Sequence, residues 1–315
     1  MTDVLAADIG GTNIRIALVT RQGAIADEQR VHIALGDRSI SEEQLVARLT
    51  QSFRDALKVY PNVKSIGAGF PGFFQGESGL LVASPNLPNL HDVALATRLS
   101  ENLNLPVMVQ NDALCAAIGE ARFGAGKNVT NLLHITLGTG IGGGLILNNR
   151  PYTGETGMAM EFGHLRIEQG EQARLCGCGG RGCVEAYASA TAISTRYAEV
   201  TEEDLAAKTI FERANNGDEQ AQAIFKSAGH YLGAAIAEAI KLLDVHTVTM
   251  SGGLVGAWSM LHPAIMVSLN ENLIPPLKDT VQVLPSSLED NAGVLGAAAL
   301  IEASNLTGDT SENDS

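Results

Sequence analysis

The stretch Val4-Leu5-Ala6-Ala7-Asp8-Ile9-Gly10-Gly11-Thr12-Asn13-Ile14-Arg15-Ile16-Ala17-Leu18-Val19 decides how the rest of the chain is read. Two aliphatic, β-branched runs, Val4 to Ile9 and Ile14 to Val19, flank a glycine-centred break, the pattern of a β-hairpin. Adjacent glycines at such a turn let phosphate oxygens approach backbone N–H groups. Thr12 offers a hydroxyl, and Asp8 at a strand end is suited to hold a divalent cation through water. The same pattern also suits an ordinary hairpin turn. A Walker A loop is excluded because no Gly-Lys-Ser/Thr is present. A Rossmann fingerprint is excluded because the glycines separate two strands instead of opening a helix.

Outward from this hairpin, Arg21-Gln22-Gly23 reads as a second turn leading into a run from Val31 to Leu35. Ser41 and Gln44 have capping-box spacing, and Leu45, Leu49, Phe53 and Leu57 recur every four residues, which predicts an amphipathic helix. Val63 to Gly69 and Val107 to Gln110 read as strands, the latter running into a helix from Ala113 to Arg122. The opening pattern then recurs: strand-like runs Leu132 to Leu137 and Leu145 to Leu147 are separated by Gly138-Thr139-Gly140-Ile141-Gly142-Gly143-Gly144. Two glycine-turned hairpins, one near the start of each half, suggest a duplicated α/β architecture. A helix from about Glu219 to Leu243, a strand Thr247 to Met250, the turn Ser251-Gly252-Gly253, another helix and a small-residue helix over about 291–303 complete the pattern.

At 315 residues and 33.0 kDa the chain has room for two domains. A hydrophobic content of 45%, 18% charged residues and a mean hydropathy of +0.09 describe a globular protein, not a disordered one. Glycine stands out at 34 residues, while aromatics make up only 4%. A net charge of −14 without a concentrated basic patch excludes a polyanionic partner such as nucleic acid. No run is apolar enough for a membrane span, because the most apolar, Asn131 to Leu147, is interrupted by His134, threonines and glycines. Asp8 interrupts any leader-like N-terminal pattern, so a cytoplasmic location is expected.

Three further groups carry chemistry. The 138–144 segment matches the first glycine turn in chemistry, and Ser251-Gly252-Gly253-Leu254 places a helix start where a nucleotide could meet it, although a plain βα turn reads the same way. His164, Cys176, Cys178 and Cys183 have the composition and clustering of a Cys3His structural zinc site. Cys115 stands apart as a buried hydrophobe. Asn111-Asp112 lies where a strand runs into a helix; such a pair is commonly a helix cap, and Asp112 can also be a base.

The ordered set DIGGTN (8–13), ND (111–112), LGTGIGGG (137–144), EFGH (161–164), CGCGGRGCVE (176–185) and SGG (251–253) resembles the ROK family of bacterial sugar kinases from Asp8 to about Ile301. The resemblance implies a two-lobed actin-like, ribonuclease H-like α/β ATPase fold with a zinc loop and a cleft that closes on sugar. An N-terminal lobe over 1–115 is expected, joined by a C-terminal helix over 291–305, with a second lobe over 116–290 and a disordered tail over 306–315. By the same resemblance, Asp112 is the general base for a hexose 6-hydroxyl attacking ATP, and Gly69, Asn86, Asn111, Glu161, His164 and Glu185 join it around the sugar. Asp8, Gly10, Gly11, Thr12, Asn13, Gly138, Thr139, Gly140, Gly142, Gly252 and Gly253 would meet ATP, with Mg²⁺ near Asp8. His164 would turn one ring nitrogen to zinc and the other to the sugar.

Within the family, Ser84-Pro85-Asn86-Leu87-Pro88 and the run Glu185 to Ala192 look most like glucokinases, acting in glycolysis. Kinases of N-acetylglucosamine, N-acetylmannosamine or fructose, or a polyphosphate donor, are the alternatives. Asn13 stands where many relatives have Lys, with Arg15 as a candidate substitute. A sugar-responsive regulator is disfavoured, because regulators of this family carry a DNA-binding domain before the phosphate loop and Asp8 comes almost at once. A homodimer or homotetramer is expected.

Overall fold

A computed structural model describes residues 3–33, 35, 39–76 and 78–307, with side chains to 301 in the last helix. In chain order the elements are β1 (Val4–Ile9), β2 (Asn13–Val19), β3 (Ile25–His32), α1 (Glu42–Val59), β4 (Ile66–Phe70), β5 (Phe73–Gln75), β6 (Leu80–Ala83), β7 (His91–Val93), α2 (Leu95–Leu103), β8 (Val107–Asn111) and α3 (Asp112–Phe123). There follow β9 (Leu132–Leu137), β10 (Ile141–Leu147), β11 (Arg150–Pro151), α4 (Glu185–Ala188), α5 (Ala190–Thr201), α6 (Ala207–Asn215), α7 (Glu219–Leu243), β12 (Thr247–Ser251), α8 (Trp258–Asn272), β13 (Gln282–Pro285) and α9 (Ala292–Thr307).

The first sheet has the order β3-β2-β1-β4-β8, with β1 antiparallel to β2 and parallel to β4. A second has the order β11-β10-β9-β12-β13, so both run third, second, first, fourth, fifth in chain order. The duplication suggested by the two hairpins is thus a shared strand order. A small sheet, β5-β6-β7, has no counterpart in the sequence reading, because its strands of three or four residues are too short to show alternation.

Contacts divide the chain into two compact units. The first holds residues up to 128 with 144–159 and 290 onward; the second holds 129–143 and 160–289. The expected boundary after 115 is displaced because it would cut α3 in half. That helix is buried continuously from Ala113 to Glu120. A Cβ on Gly119 would lie 2.2 Å from the Ala292 carbonyl, and one on Gly296 only 1.6 Å from the Cys115 carbonyl, so α3 and α9 touch backbone to backbone. Likewise α9 meets β4, where a Cβ on Gly67 would lie 1.8 Å from the Ala297 carbonyl.

The first unit's apolar core lies between its sheet and α1 and α2, with Phe53, Leu49, Leu45 and Leu99 fully buried. The Ser41 capping box forms as read, with the Ser41 hydroxyl accepting the Gln44 N–H. In the second unit α7 packs on α8 through Gly229 and Gly233, where a Cβ would come within 2.7 and 2.3 Å of carbonyls of α8.

Several boundaries differ from expectation. β3 begins at Ile25 and ends at His32, not across Val31 to Leu35, because it is an edge strand with exposed polar residues and no apolar run to mark it. β4 begins at Ile66 rather than Val63. α9 continues through Leu306 and Thr307, which were expected in the tail. The rest of that tail, 308–315, lies outside the described residues. Among the described residues no helix is long and apolar enough to cross a membrane.

Candidate active site and metal centre

In the first unit, the end of β1 and the start of α3 bring two carboxylates together. Asp8 is pushed up to about 6, first by burial and next by the charge of Asp112; Asp290 adds to this, while Arg15 and Arg30 oppose it. Burial likewise raises Asp112, against hydrogen bonds from the backbone, one of them the Ala113 N–H to its Oδ1 at 2.8 Å. Asn111 is the helix cap: its Oδ1 accepts the Leu114 N–H at 3.0 Å and its Nδ2 donates to the Gly72 carbonyl at 3.0 Å. Cap and candidate base are therefore neighbouring residues with separate tasks.

Gly69 lies beside them: a Cβ built there would be at ordinary contact distance, 3.5 Å from Cys115 Sγ and 3.6 Å from the Asp112 Cα. Cys115 is fully buried, as read. Asn86 is exposed between buried Ser84 and Leu87, and the Ser84 hydroxyl donates to the Pro71 carbonyl at 2.7 Å, tying this loop to the one after Gly69.

The hairpin turn closes through Gly10 N–H to the Asn13 carbonyl at 2.9 Å. A Cβ on Gly11 would meet nothing within 4 Å, and its φ is not positive, so the fold itself does not require glycine there. The amides of Gly11 and Thr12 have no acceptor among the described residues. Arg15, the candidate substitute for the lysine of many relatives, is engaged within the fold. Its guanidinium is taken up by Glu28, the Asp290 carbonyl at 2.8 Å and Asn291 Oδ1 at 2.5 Å, which fasten β2 to β3 and to the start of α9.

The 138–144 glycine segment, all but Gly144 in the second unit, is shorter as a loop than its composition suggests. Gly142, Gly143 and Gly144 are strand residues of β10. Gly143 is needed for packing, since its Cβ would lie 2.6 Å from the Met160 carbonyl and 2.8 Å from Phe162 Cβ. The Gly142 N–H is already bonded to Thr136 Oγ1 at 3.1 Å, so only Gly138-Thr139-Gly140 form the turn. Gly252 has φ +94° and sits against β9, its Cβ position 2.4 Å from the Leu137 carbonyl. Around Gly253 the Cβ space is open, and a 3-10 turn over Gly253–Ala257 precedes α8.

Four donors converge as read. The ligand atoms of His164, Cys176, Cys178 and Cys183 all lie within 4.8 Å of one another. His164 Nδ1 is 3.7 Å from Cys176 Sγ, and Cys178 Sγ is 3.8 Å from Cys183 Sγ. A tetrahedron with metal–sulfur bonds of about 2.3 Å has edges of about 3.8 Å, so the donors fit zinc in type, number and spacing. Burial pushes the Cys176 thiol up to about 12. His164 Nε2 lies 3.8 Å from Glu161 Oε2. Glu185 touches both features of this unit: Oε2 accepts the Ile141 N–H at 2.9 Å, while Oε1 is 3.7 Å from Cys176 Sγ.

Sequence reasoning missed His134, fully buried between Thr249 Oγ1 at 2.8 Å and Ser251 Oγ at 2.9 Å, because a single histidine in an apolar strand has no pattern. It also missed Thr191, whose hydroxyl donates to the Thr139 carbonyl at 2.8 Å. The cap Ser189, three residues before the buried Ala192, is the signal that fixes that helix start.

The chain is 33% identical to a glucokinase of Halalkalibacterium halodurans over 94% of this chain and 93% of that protein. It is 28% identical to the xylose repressor of Bacillus subtilis over 93% of this chain and 75% of the repressor. It superposes with a TM-score of 0.81 on the crystal structure of a ROK family glucokinase from Streptomyces griseus in complex with glucose and AMPPNP. That match is at 31% identity and covers 95% of this chain and 98% of that one. The fold is therefore the α/β, actin-like ATPase fold of the ROK sugar kinases. With the ROK family model matching residues 4–304, this chain belongs to the ROK family.

Proposed function

We propose that this protein is an ATP-dependent sugar kinase that phosphorylates the 6-hydroxyl of a hexose, with D-glucose the preferred acceptor. The observation that carries it is the pair Asp8 and Asp112: two carboxylates held in a buried place where each resists ionisation. Such an arrangement is costly for a fold and useful for chemistry that takes a proton and neutralises charge.

Asp112 is the general base that accepts the hydroxyl proton as the sugar oxygen attacks the γ-phosphorus and the bond from that phosphorus to the β-phosphate oxygen breaks, with ADP leaving. Phosphoryl transfer asks little covalent chemistry of the protein beyond this, so alignment and charge neutralisation matter most. Asp8 carries Mg²⁺, a role that fits a carboxylate destabilised by a second anion. ATP phosphates meet the amides of Gly11, Thr12, Thr139 and Gly140, none of which has an acceptor among the described residues. Gly10, Asn13, Gly138, Gly142, Gly252 and Gly253 shape these turns. Gly69, Asn86, Asn111, Glu161, His164 and Glu185 are the residues proposed to bind sugar hydroxyls. Zinc held by His164, Cys176, Cys178 and Cys183 would keep His164 and its neighbours Glu161 and Glu185 in place and would take no part in the transfer.

A coupled assay with glucose, mannose, fructose, N-acetylglucosamine and N-acetylmannosamine, each with ATP or polyphosphate, tests the reading. Glucose with ATP should give the highest kcat/KM. A higher value for an N-acetylhexosamine would move the acceptor to that class, and no turnover with any pair would remove the kinase reading in favour of a sugar-responsive regulator. In the same assay Asp112→Asn should lower kcat by about 10²–10⁴-fold.

A further inference from the structure

The turn proposed to meet the phosphates, Gly138-Thr139-Gly140, is gripped at three successive points by one short segment. The Ala190 N–H donates to the Gly138 carbonyl at 2.9 Å. The Thr191 hydroxyl donates to the Thr139 carbonyl at 2.8 Å. Glu185 Oε2 accepts the Ile141 N–H at 2.9 Å, and the Gly140 Cβ position is only 2.6 Å from that same oxygen.

The consequence is directional. In a peptide unit the carbonyl and the following N–H point opposite ways. Fixing the Gly138 and Thr139 carbonyls on the α5 side therefore turns the Thr139 and Gly140 amides away from it. Both are amides without an acceptor among the described residues. The gripping segment is itself held: Val184 N–H donates to the Leu165 carbonyl at 2.9 Å, Tyr187 Oη accepts the Arg174 N–H at 2.8 Å, and the Tyr187 and Tyr231 rings lie 4.2 Å apart. It begins two residues after the metal-cluster residue Cys183.

We propose that the segment Glu185 to Thr191 is a brace that aims the Thr139 and Gly140 amides at a nucleotide phosphate, with Thr191 a positioning residue for the phosphoryl donor. This rests on the sugar-kinase reading for the identity of the ligand, while the brace is a property of the free protein. Thr191 is exposed in the first turn of α5, so removing its hydroxyl leaves the core intact.

The test compares the parent protein with Thr191→Val and Thr191→Ser by hydrogen exchange of residues 138–142 without ligand and by steady-state kinetics. Thr191→Val should speed amide exchange across this turn several-fold and raise the KM for ATP about three- to tenfold, the size of one lost hydrogen bond, with the sugar KM within twofold. Thr191→Ser, which keeps the hydroxyl, should restore both. Unchanged exchange in Thr191→Val, an unchanged KM for ATP, or equal shifts in both KM values would overturn the proposal. If the parent phosphorylates no sugar, the kinase reading fails, and the exchange comparison still decides the brace.

Discussion

A carboxylate at a helix N-terminus is ordinarily favoured as the anion, yet at Asp112 burial outweighs the helix and pulls the other way. His134 is the opposite case, a base held neutral: burial lowers it to about 3, and both ring nitrogens are occupied by hydroxyls. The unfolded chain takes up that proton near pH 6.5 and the folded one only near 3, so folded stability is lost as the pH falls through this window. The loss is about 1.4 kcal/mol per pH unit, or about 2 kcal/mol between pH 7 and pH 5. Asp8 works against it, since its raised carboxyl disfavours the fold at neutral pH and relaxes below about 6. Urea denaturation of the parent and of His134→Gln at both pH values separates the two. The parent should lose about 2 kcal/mol more than the variant on acidification, and equal losses would show that His134 does not titrate in this way. Nothing in the sequence around His134 announces it, because its partners Thr249 and Ser251 are brought alongside only by the pairing of β12 with β9.

At the scale of elements, what was legible depended on whether a motif is local. The 4–19 hairpin, the capped α1 and the four-donor metal cluster are each set by residues close together in sequence, and each formed as read. Glycine deceived where its reason was distant: Gly143 answers to Met160 and Phe162, and nothing within the 138–144 segment reveals that. The edge strand β3 and the small sheet were lost because pairing, not composition, makes them. The loop from His164 to Cys183 has little apolar surface of its own, and Leu175 within it is 65% exposed, so a metal on its four donors would add to the order that its backbone hydrogen bonds supply. Metal analysis of purified protein should give about one zinc per chain, and Cys178→Ser should lower both that figure and the thermal stability. Zinc-free parent protein of undiminished stability would refute this.

For the whole molecule, the two sheets of common order were visible in outline from the two hairpins, and the resemblance implied that a C-terminal helix joins the first unit; not legible were the boundary at 128 and the place of 144–159 in the unit that is completed by α9. Its backbone lies so close to α3 and β4 that glycine is required at Gly296, whose Cβ would stand 1.6 Å from the Cys115 carbonyl. Gly296→Ala should therefore cost about 2 kcal/mol or more, roughly 4–8 °C in Tm, by forcing helices apart. Gly11→Ala, in open space, should leave Tm unchanged while weakening ATP use. A Tm for Gly296→Ala equal to that of Gly11→Ala would contradict the packing described.

The lateness of α9 also sets an order of events on the ribosome. Domains ordinarily fold as they emerge, amino-terminal first. Here the first unit leaves the exit tunnel lacking the helix that covers β1 and β4 against α3, and it waits through the synthesis of most of the second unit, 160–289, before it can be completed. At the end of that interval the second unit has all its parts and the first does not, so the half of the protein that is translated first is the half that finishes last.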